Sequence, residues 1–321
     1  MAGQIWATNS LGGFFYSLNL SDELREALQP MSRFRQFCDY KDAAGKQKGN
    51  TFTWDIVQNV ATAGGTLVET NTMPETNFTI NQATLTITEY GNSVPYTGKL
   101  EALSKFQVRK PVMQALRNDA GKVLDRGAYA QFYLANLRVV GGASGAGTFT
   151  TNGTATATNS IALGSGHVKT IVDEMKERNI PAYVADDYMC LGWPSTFRTL
   201  KNNLEAQKFY TESGLKMIFN GEIGRYESVR FIEQTNASKG VTTTGLSGTA
   251  WTNALSDWAF FFGEDTVAEG VAIPEEIRAK IPTDFGRSKG VAWYALEGFG
   301  IVHTAANAAT EGRIMMWDSA A

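Results

Sequence analysis

Two stretches of the chain alternate strictly between apolar and polar residues, NTFTWDIVQNV (50–60) and NFTINQATLTITE (77–89). A period of two is typical of strands with one wetted face, so the pattern predicts a two-stranded ribbon with a Gly/Thr/Asn-rich tip. An isolated hairpin is marginal in water, and burying each large apolar side chain contributes roughly 1.5–3 kcal/mol. We therefore expect another subunit to cover the apolar face, which favours an assembly over a catalyst.

A helical pattern follows the ribbon. Apolar residues recur every three or four positions from Val112 to Phe132, which is the spacing of one helix face. Pro111 suits the first helical position. We predict a helix from 111 to 137, about 40 Å long at 1.5 Å per residue.

Two glycines, Gly121 and Gly127, lie inside this predicted helix. Each weakens a helix by up to about 1 kcal/mol relative to alanine. Two explanations stay open for each glycine, either a close approach by another backbone or simple tolerance.

The second half of the chain alternates shorter helical and strand patterns, which indicate an α/β region. Helices are predicted at 167–180 and 194–206, and strands within 182–193, 221–234, 257–263, 290–303 and 312–317. Segment 274–280 reads as a short helix or an extended piece. The Gly/Ser/Thr-rich segment 141–166 is predicted to be a loop or a weak hairpin, and segment 238–251 is predicted to be a polar insertion.

Composition excludes several classes of protein. The chain has 321 residues, 43% hydrophobic and 19% charged, with a formal net charge of -3, so nothing global marks a nucleic-acid or membrane binder. The N-terminus lacks the pattern of a signal peptide, and no apolar run is long enough to span a bilayer. Cys38 and Cys190 have no CxxC spacing, which indicates a reducing compartment without a disulfide framework. A bridge between them is the less favoured alternative.

Candidate chemistry is sparse. The two histidines, His167 and His303, belong to different predicted elements without Cys/Asp/Glu residues at metal-ligand spacing. Neither a nucleophile elbow nor a phosphate-binding glycine loop occurs. We therefore predict no catalytic residue, no metal, no cofactor and no enzymatic activity. The Thr/Asn/Gly-rich segments suggest a secreted adhesin as a further alternative, against which the long helix argues.

A local excess of basic residues between 31 and 49 is a candidate nucleic-acid contact. The residues are Arg33, Arg35, Lys41, Lys46 and Lys48. The alternative is a solvated connector, because the run is short and mixed in sign.

Four segments, by their order and spacing, resemble a known family of proteins. They are 88–104 with 121–132, then 171–200, 219–233 and 261–303, and they cover most of the chain from residue 50 onward. They include TEYGNSVPYTGKLEALS, GKVLDRGAYAQF and FNGEIGRYESVRFIE. The chain resembles major capsid proteins of tailed phages with the Hong Kong 97-like fold, and most of all the coat proteins of N-four-type podophages.

The resemblance implies a domain layout for an α+β capsid subunit. It consists of an N-terminal arm (1–30), an E-loop region with the extended hairpin (31–95), a peripheral domain with a long spine helix (96–140), an α/β axial domain (141–257) and returning strands (258–321). The ribbon would then lie on a neighbouring subunit. The residues expected at subunit interfaces are Phe52, Trp54, Ile56, Leu67, Val68, Leu85, Ile87, Arg225 and Arg230. For the two arginines, ion pairing within or between subunits is expected.

The resemblance also implies partners and a location. The chain would assemble with itself, as hexamers and pentamers, into an icosahedral head shell around double-stranded DNA. Scaffolding protein and portal are the implied helpers, with a decoration protein as a further candidate. Assembly would take place in the host cytoplasm, without a membrane, and the product would be the virion capsid. DNA contact would be non-specific, through the basic stretch at 31–49. The alternative is an encapsulin-like shell of a cellular nanocompartment.

Some relatives of this fold join their subunits through a lysine on the E-loop. The two strands of the ribbon and its tip, residues 50–89, contain no lysine. A lysine-based crosslink from this loop is therefore excluded, and we expect a non-covalent shell.

Overall fold

Within the residues that the structure describes, the named elements form two β-sheets, a separate two-stranded ribbon and four α-helices. The computed structural model describes residues 28–43, 49–58, 64–70, 72–104, 107–153, 161–208, 224–237, 258–281, 284–303 and 311–318. Most of the predicted N-terminal arm, Lys46, Lys48 and the insertion 238–251 lie outside these residues. In the described ranges, no helix combines the length and apolarity needed to cross a membrane.

The predicted ribbon is present. Strand β2 (Thr51–Val57) pairs antiparallel with β3 (Ile80–Thr86), and Phe52 lies opposite Leu85. The period-two pattern is confirmed, because alternate positions along both strands differ in burial.

The base of the ribbon packs against its own subunit, contrary to the expectation that only a neighbour would cover it. Leu85 is 1% exposed and contacts a cluster that includes Ala268 and Val302. Glycines make room for this contact, because a Cβ added at Gly270 would lie 2.9 Å from the Leu85 side chain. The sequence pattern identified the apolar face correctly, but a period of two does not indicate which surface covers it.

The ribbon lies on a four-stranded sheet. Its strands, in spatial order, are β1 (Asp39–Asp42), β11 (Val267–Ala279), β12 (Ser288–Ile301) and β4 (Thr88–Thr97). Strands β11 and β12 form a long antiparallel hairpin, β4 pairs antiparallel with β12, and β1 runs parallel to β11. Segment 274–280, for which the sequence allowed a short helix or an extended piece, is therefore almost entirely extended. Strand β4 and the first half of β11 were not predicted.

The short helix α1 (Gly98–Leu103) and the long helix α2 (Arg109–Tyr133) follow β4. Helix α2 has 25 residues, about 37 Å at 1.5 Å per residue, and packs its predicted apolar face onto the sheet. It begins two residues before Pro111. The first turn of a helix tolerates proline, because the N–H groups of that turn have no intrahelical partner. It ends four residues before Leu137, because Leu137 pairs in a strand.

The second sheet has seven strands. They are β5 (Leu137–Gly141), β6 (Gly147–Thr150), β7 (Tyr188–Gly192), β8 (Arg225–Tyr226), β9 (Val229–Glu233), β10 (Ala259–Phe262) and β13 (Ile314–Trp317). Their spatial order is β6-β5-β13-β10-β7-β9-β8. The predicted helices are present as α3 (Ser165–Glu177) and α4 (Arg198–Lys208), and part of segment 141–166 forms the hairpin of β5 and β6.

Both faces of the seven-stranded sheet are covered. On one face, α3 and α4 pack against Phe261, Met315 and Trp317. On the other face, the C-terminal half of α2 packs against Phe260 and Met316. Burial on both faces explains why β10 and β13 are continuous apolar runs instead of alternating ones. Helix α2 therefore contacts both sheets and connects them.

The two helix glycines have different surroundings. A Cβ at Gly127 would lie 2.8 Å from the Phe299 ring, so this glycine allows close packing between α2 and β12. A Cβ at Gly121 would meet nothing within 4 Å. Packing within the subunit thus explains Gly127 and leaves Gly121 unexplained.

Candidate assembly interface

The outer part of the ribbon is an exposed apolar surface. Its large apolar side chains are each more than half exposed in the single subunit, and they are Val57, Leu67, Val68, Met73, Phe78 and Ile80. Several large apolar side chains left exposed along one segment are typical of a protein–protein contact. Leu67 and Val68 were predicted as interface residues, whereas the other four were not singled out.

The predicted interface residues nearer the base of the ribbon behave differently. Phe52 and Trp54 are half-buried against the subunit's own cluster, and Ile56 is half-buried as well. Leu85 and Ile87 are buried within the subunit, so neither is on a surface that a neighbour would cover. This corrects the expectation for these two residues.

Arg225 and Arg230 form their ion pairs within the subunit. Arg230 Nε donates a hydrogen bond to Asp187 Oδ2 at 2.8 Å, and Arg225 Nε lies 2.6 Å from Asp187 Oδ1 as an ion pair. Asp187 is buried, and the hydrogen bond from Arg230 is the largest cause that lowers the pKa of its carboxyl. The glutamates near the two arginines in sequence pair elsewhere, since Glu233 binds Lys201 and Glu227 lies 3.9 Å from Lys169.

Arg35 is not available to bind DNA. Its Nε lies 2.6 Å from Glu269 Oε1, its Nη1 lies 2.9 Å from Glu275 Oε1, and its Nη2 lies 3.5 Å from Glu297 Oε2. Three glutamate side chains thus surround one guanidinium, which corrects the expectation that Arg35 faces nucleic acid. No local pattern indicates this cluster, because its glutamates lie more than 230 residues from Arg35 in the chain.

The other predicted DNA contacts differ in their surroundings. Arg33 is exposed, whereas Lys41 is partly exposed and lies 4.0 Å from Asp39. Arg33 and Lys41 remain candidates for a contact with phosphates.

We call Arg35, Glu269, Glu275 and Glu297 the Arg35 cluster. Burial shifts the pKa values of its glutamates. Desolvation raises the pKa of Glu297 to about 8, so its carboxyl is largely protonated at neutral pH. Desolvation also raises the pKa of Glu269, whereas the hydrogen bond from Arg35 lowers that of Glu275. The cluster joins the segment before β1 to both long strands of the four-stranded sheet.

The residue before Arg35 extends this connection to the second sheet. Phe34 is fully buried, and its ring lies 5.3 Å from that of Tyr129 on α2 and 5.7 Å from that of Phe260 on β10. The connector alternative covered the stretch 31–49, yet its first part, residues 31–37, contacts both sheets and α2. This segment is a structural support of the subunit.

His167 forms hydrogen bonds within the subunit, and the two cysteine thiols are partly or fully buried in it. His167 Nε2 lies 2.8 Å from Gly142 O, and its Nδ1 accepts a hydrogen bond from the Gly164 N–H. Cys38 and Cys190 are free thiols, and burial raises the pKa of both. Across the described ranges, no group of three or more His, Cys, Asp or Glu side chains is arranged to hold a metal ion.

Comparison with solved structures identifies the fold. The chain is similar to the capsid protein of cyanophage Pam1 (14% identity, 100% of this chain and 99% of that chain covered, TM-score 0.68). It is also similar to the head protein of Helicobacter pylori bacteriophage KHP40 (14% identity, 98% and 99% covered, TM-score 0.68). A third neighbour is the capsid protein of Ralstonia phage GP4 (16% identity, 97% of each chain covered, TM-score 0.64). A search of curated proteins found no match.

These likenesses define the fold of the chain as the Hong Kong 97-like capsid fold. The family model described as phage capsid protein matches residues 81–309, well over half of the chain. The chain therefore belongs to the phage capsid protein family, and it is a major capsid protein that forms the phage head shell. The family match favours a phage head over a cellular nanocompartment, and the role of the family is structural.

Proposed function

We propose that the chain assembles as hexamers and pentamers into an icosahedral head shell in which the outer ribbon of each subunit lies on a neighbour. The observation that carries this proposal is the exposed apolar surface of the outer ribbon, since its base already packs on its own subunit. Burial of each large side chain would contribute roughly 1.5–3 kcal/mol. Many such contacts act together in a closed shell, so each one can be individually weak.

The proposed domain layout follows the resemblance, with the four-stranded sheet and the first half of α2 as the peripheral domain. The seven-stranded sheet with α3 and α4 would be the axial domain. Support comes from the tail, whose strands divide between the two sheets: β11 and β12 join the first, and β10 and β13 join the second. Strands β1 and β4 also join the first sheet, so the protruding part of the E-loop region is the ribbon between them.

The shell would enclose double-stranded DNA, with scaffolding protein and portal as helpers and a decoration protein as a further partner. Arg33 and Lys41 are the described residues that would contact DNA phosphates without sequence preference. We further propose that the chain has no catalytic role, that it belongs to the N-four-type group, and that assembly takes place in the host cytoplasm.

The test is electron microscopy of the expressed full-length chain, with and without the phage scaffolding protein. We expect closed shells from the wild-type chain and a folded, unassembled subunit after deletion of residues 60–78. The matched control replaces Thr51 and Thr53, exposed residues on the wetted face of β2, by serine, and it should assemble normally. Normal shells from the deletion variant would refute the role of the ribbon.

A further inference from the structure

The start of α2 carries a cluster of basic side chains. Arg109 and Lys110 belong to its first turn, and Arg117 lies about two turns further along. At 3.6 residues per turn the three positions fall within an arc of about 100°, so they share one side of the helix. They line a surface cavity of about 500 Å³ between α1 and α2, together with the amide side chains of Gln107 and Gln114. We call this cavity the α2 basic pocket.

The pocket has an excess of positive charge. Arg109, Lys110 and Arg117 are exposed, and none forms an ion pair with any residue that the structure describes. The first turn of α2 contains no acidic residue. Glu101 lines the pocket as well, but its carboxylate already binds Lys289 at 2.6 Å. Among the described residues, the three cations therefore lack a counter-charge, and the pocket is suited to an anionic partner.

The four-stranded sheet separates α2 from the ribbon. Val291 and Trp293 on β12 pack against α2, whereas Leu296 of the same strand packs against the cluster at the base of the ribbon. Further along β12, a Cβ at Gly300 would lie 2.9 Å from the Cβ of Leu85. Successive residues of a strand point to opposite faces of a sheet. The odd and even positions of β12 thus show that α2 and the ribbon lie on opposite sides of this sheet.

The ribbon side of the sheet has the opposite charge. Residues 49–98, which include the ribbon and β4, contain Asp55, Glu69, Glu75 and Glu89 and not one lysine or arginine. Carboxylates repel phosphate groups, because both are negatively charged. Of the two sides of the sheet, the side that carries α2 is therefore the one suited to contact with a polyanion.

We propose that the α2 basic pocket lies on the inner side of the shell and binds phosphate groups of the packaged double-stranded DNA. The inference rests on the proposed function, in which the shell encloses DNA, and it adds a contact site separate from Arg33 and Lys41. Arginine, lysine and glutamine side chains are common donors to phosphate oxygens, and such contacts carry no sequence preference. Duplex DNA carries one charge per about 1.7 Å of its axis. The rise of about 12 Å from Arg109 to Arg117 therefore matches a length of duplex with about seven phosphates.

The salt dependence of DNA binding tests this inference. The affinity of the unassembled full-length subunit for a fluorescent duplex of about 30 base pairs is measured by anisotropy between about 50 and 200 mM salt. Each phosphate contact contributes about −0.9 to the slope of log K against log salt concentration. R109Q/R117Q should therefore make the slope less negative by about 1.8 and lower the affinity at the lowest salt concentration at least about tenfold. A slope equal to that of the wild type would overturn the proposal.

Two matched variants control for charge and for folding. R109K/R117K keeps both charges and should retain the wild-type slope, because a lysine neutralises a phosphate as an arginine does. K169Q/K176Q removes two exposed lysines from α3, which packs on the second sheet, and should leave the slope unchanged. Because Arg109 and Arg117 are exposed and form no ion pair with a described residue, R109Q/R117Q should keep the wild-type melting temperature.

Electron microscopy of DNA-filled heads tests the orientation directly. We expect α2 to face the outermost layer of DNA, with the ribbon on the opposite side of the sheet. If α2 lies on the outer surface of the head, the inference is overturned, whereas the proposed shell around DNA stands.

The binding experiment also separates this inference from the proposed function. If R33Q/K41Q weakens DNA binding and R109Q/R117Q does not, the shell still contacts DNA, but the α2 basic pocket is the wrong site. If R109Q/R117Q binds DNA like the wild type but forms fewer shells with the scaffolding protein, the pocket binds an acidic protein segment, and the inference is overturned.

Discussion

Arg35 Nε lies 2.6 Å from Glu269 Oε1, and this contact connects the start of the described chain to its last third. The same guanidinium binds Glu275 and reaches the buried Glu297. Its main-chain N–H donates to Asp125 on α2 at 3.1 Å. One residue therefore joins the segment before β1, the long helix and both central strands of the four-stranded sheet.

Removal of Arg35 should destabilise the subunit strongly. Arg35→Ala leaves Glu269 buried without its counter-charge and removes the hydrogen bonds to Glu297. Loss of one partner from a buried pair typically costs 3–5 kcal/mol. Because the Arg35 side chain is 28% exposed, we expect about 2–3 kcal/mol, measured by urea unfolding of the unassembled subunit. The control Arg33→Ala alters an exposed side chain and should stay within about 0.5 kcal/mol. Equal effects of the two substitutions would contradict the assigned role of Arg35.

The stability of the subunit should fall as the pH rises from about 4.5 to about 8. Burial raises the pKa of Glu297 from 4.5 to about 8 in the folded state, so the folded state holds a proton that the unfolded state releases. A carboxyl of this kind contributes stability that is complete below its unfolded pKa and is lost as the pH rises through the folded value. Glu269, whose pKa is also raised, acts in the same direction.

Glu297→Gln should flatten this pH dependence, because the amide resembles the protonated carboxyl. Urea unfolding at pH 5, 7 and 9 would show a variant that gains stability relative to the wild type as the pH increases. Glu275→Gln is the matched control. The pKa of Glu275 is lowered by Arg35, so its contribution is lost at the acidic end instead. Parallel wild-type and E297Q curves would show that Glu297 does not titrate in this range.

Replacement of Gly121 and of Gly127 by alanine should change the stability of the subunit in opposite directions. At Gly127 the new Cβ would lie 2.8 Å from the buried ring of Phe299, and overpacking of this kind costs typically 1–3 kcal/mol. At Gly121 the Cβ meets nothing within 4 Å, so the gain in helix propensity, up to about 1 kcal/mol, should appear as added stability. Thermal unfolding of the two unassembled variants measures both signs. The same sign for both would mean that the surroundings of the two glycines are not as described.

The sequence predicted the elements that carry a regular period. The ribbon follows from strict alternation in 50–60 and 77–89, and α2 follows from helical spacing between Val112 and Phe132. The end of α2 was wrong because Leu137 continues the apolar sequence without indicating that it pairs with Met315, far along the chain. Strand β4 was missed because half of its positions face solvent without alternation.

The candidate interface was predictable only in part, for a related reason. A period of two shows that Leu85 shares a face with Ala83, but the cover of that face comes from Ala268 and Val302, about 200 residues away. Arg35 appeared basic and available in the sequence for the same reason, because its three glutamates come from distant strands. Pairing over such separations leaves no local pattern, and it decides which residues remain on the surface.

The assembled shell should contain no covalent bond formed by a lysine of the ribbon. Residues 49–98 contain no lysine at all, so the nucleophile of such a bond is absent from both strands and from the tip. Boiled and reduced particles should therefore migrate as a single band near 35.0 kDa in denaturing gel electrophoresis. The control is the same preparation treated with an amine-reactive crosslinker, which should produce a ladder and show that the gel detects linked subunits. A ladder from untreated particles would require a different linkage, and mass spectrometry of the linked peptides would then identify the residues involved.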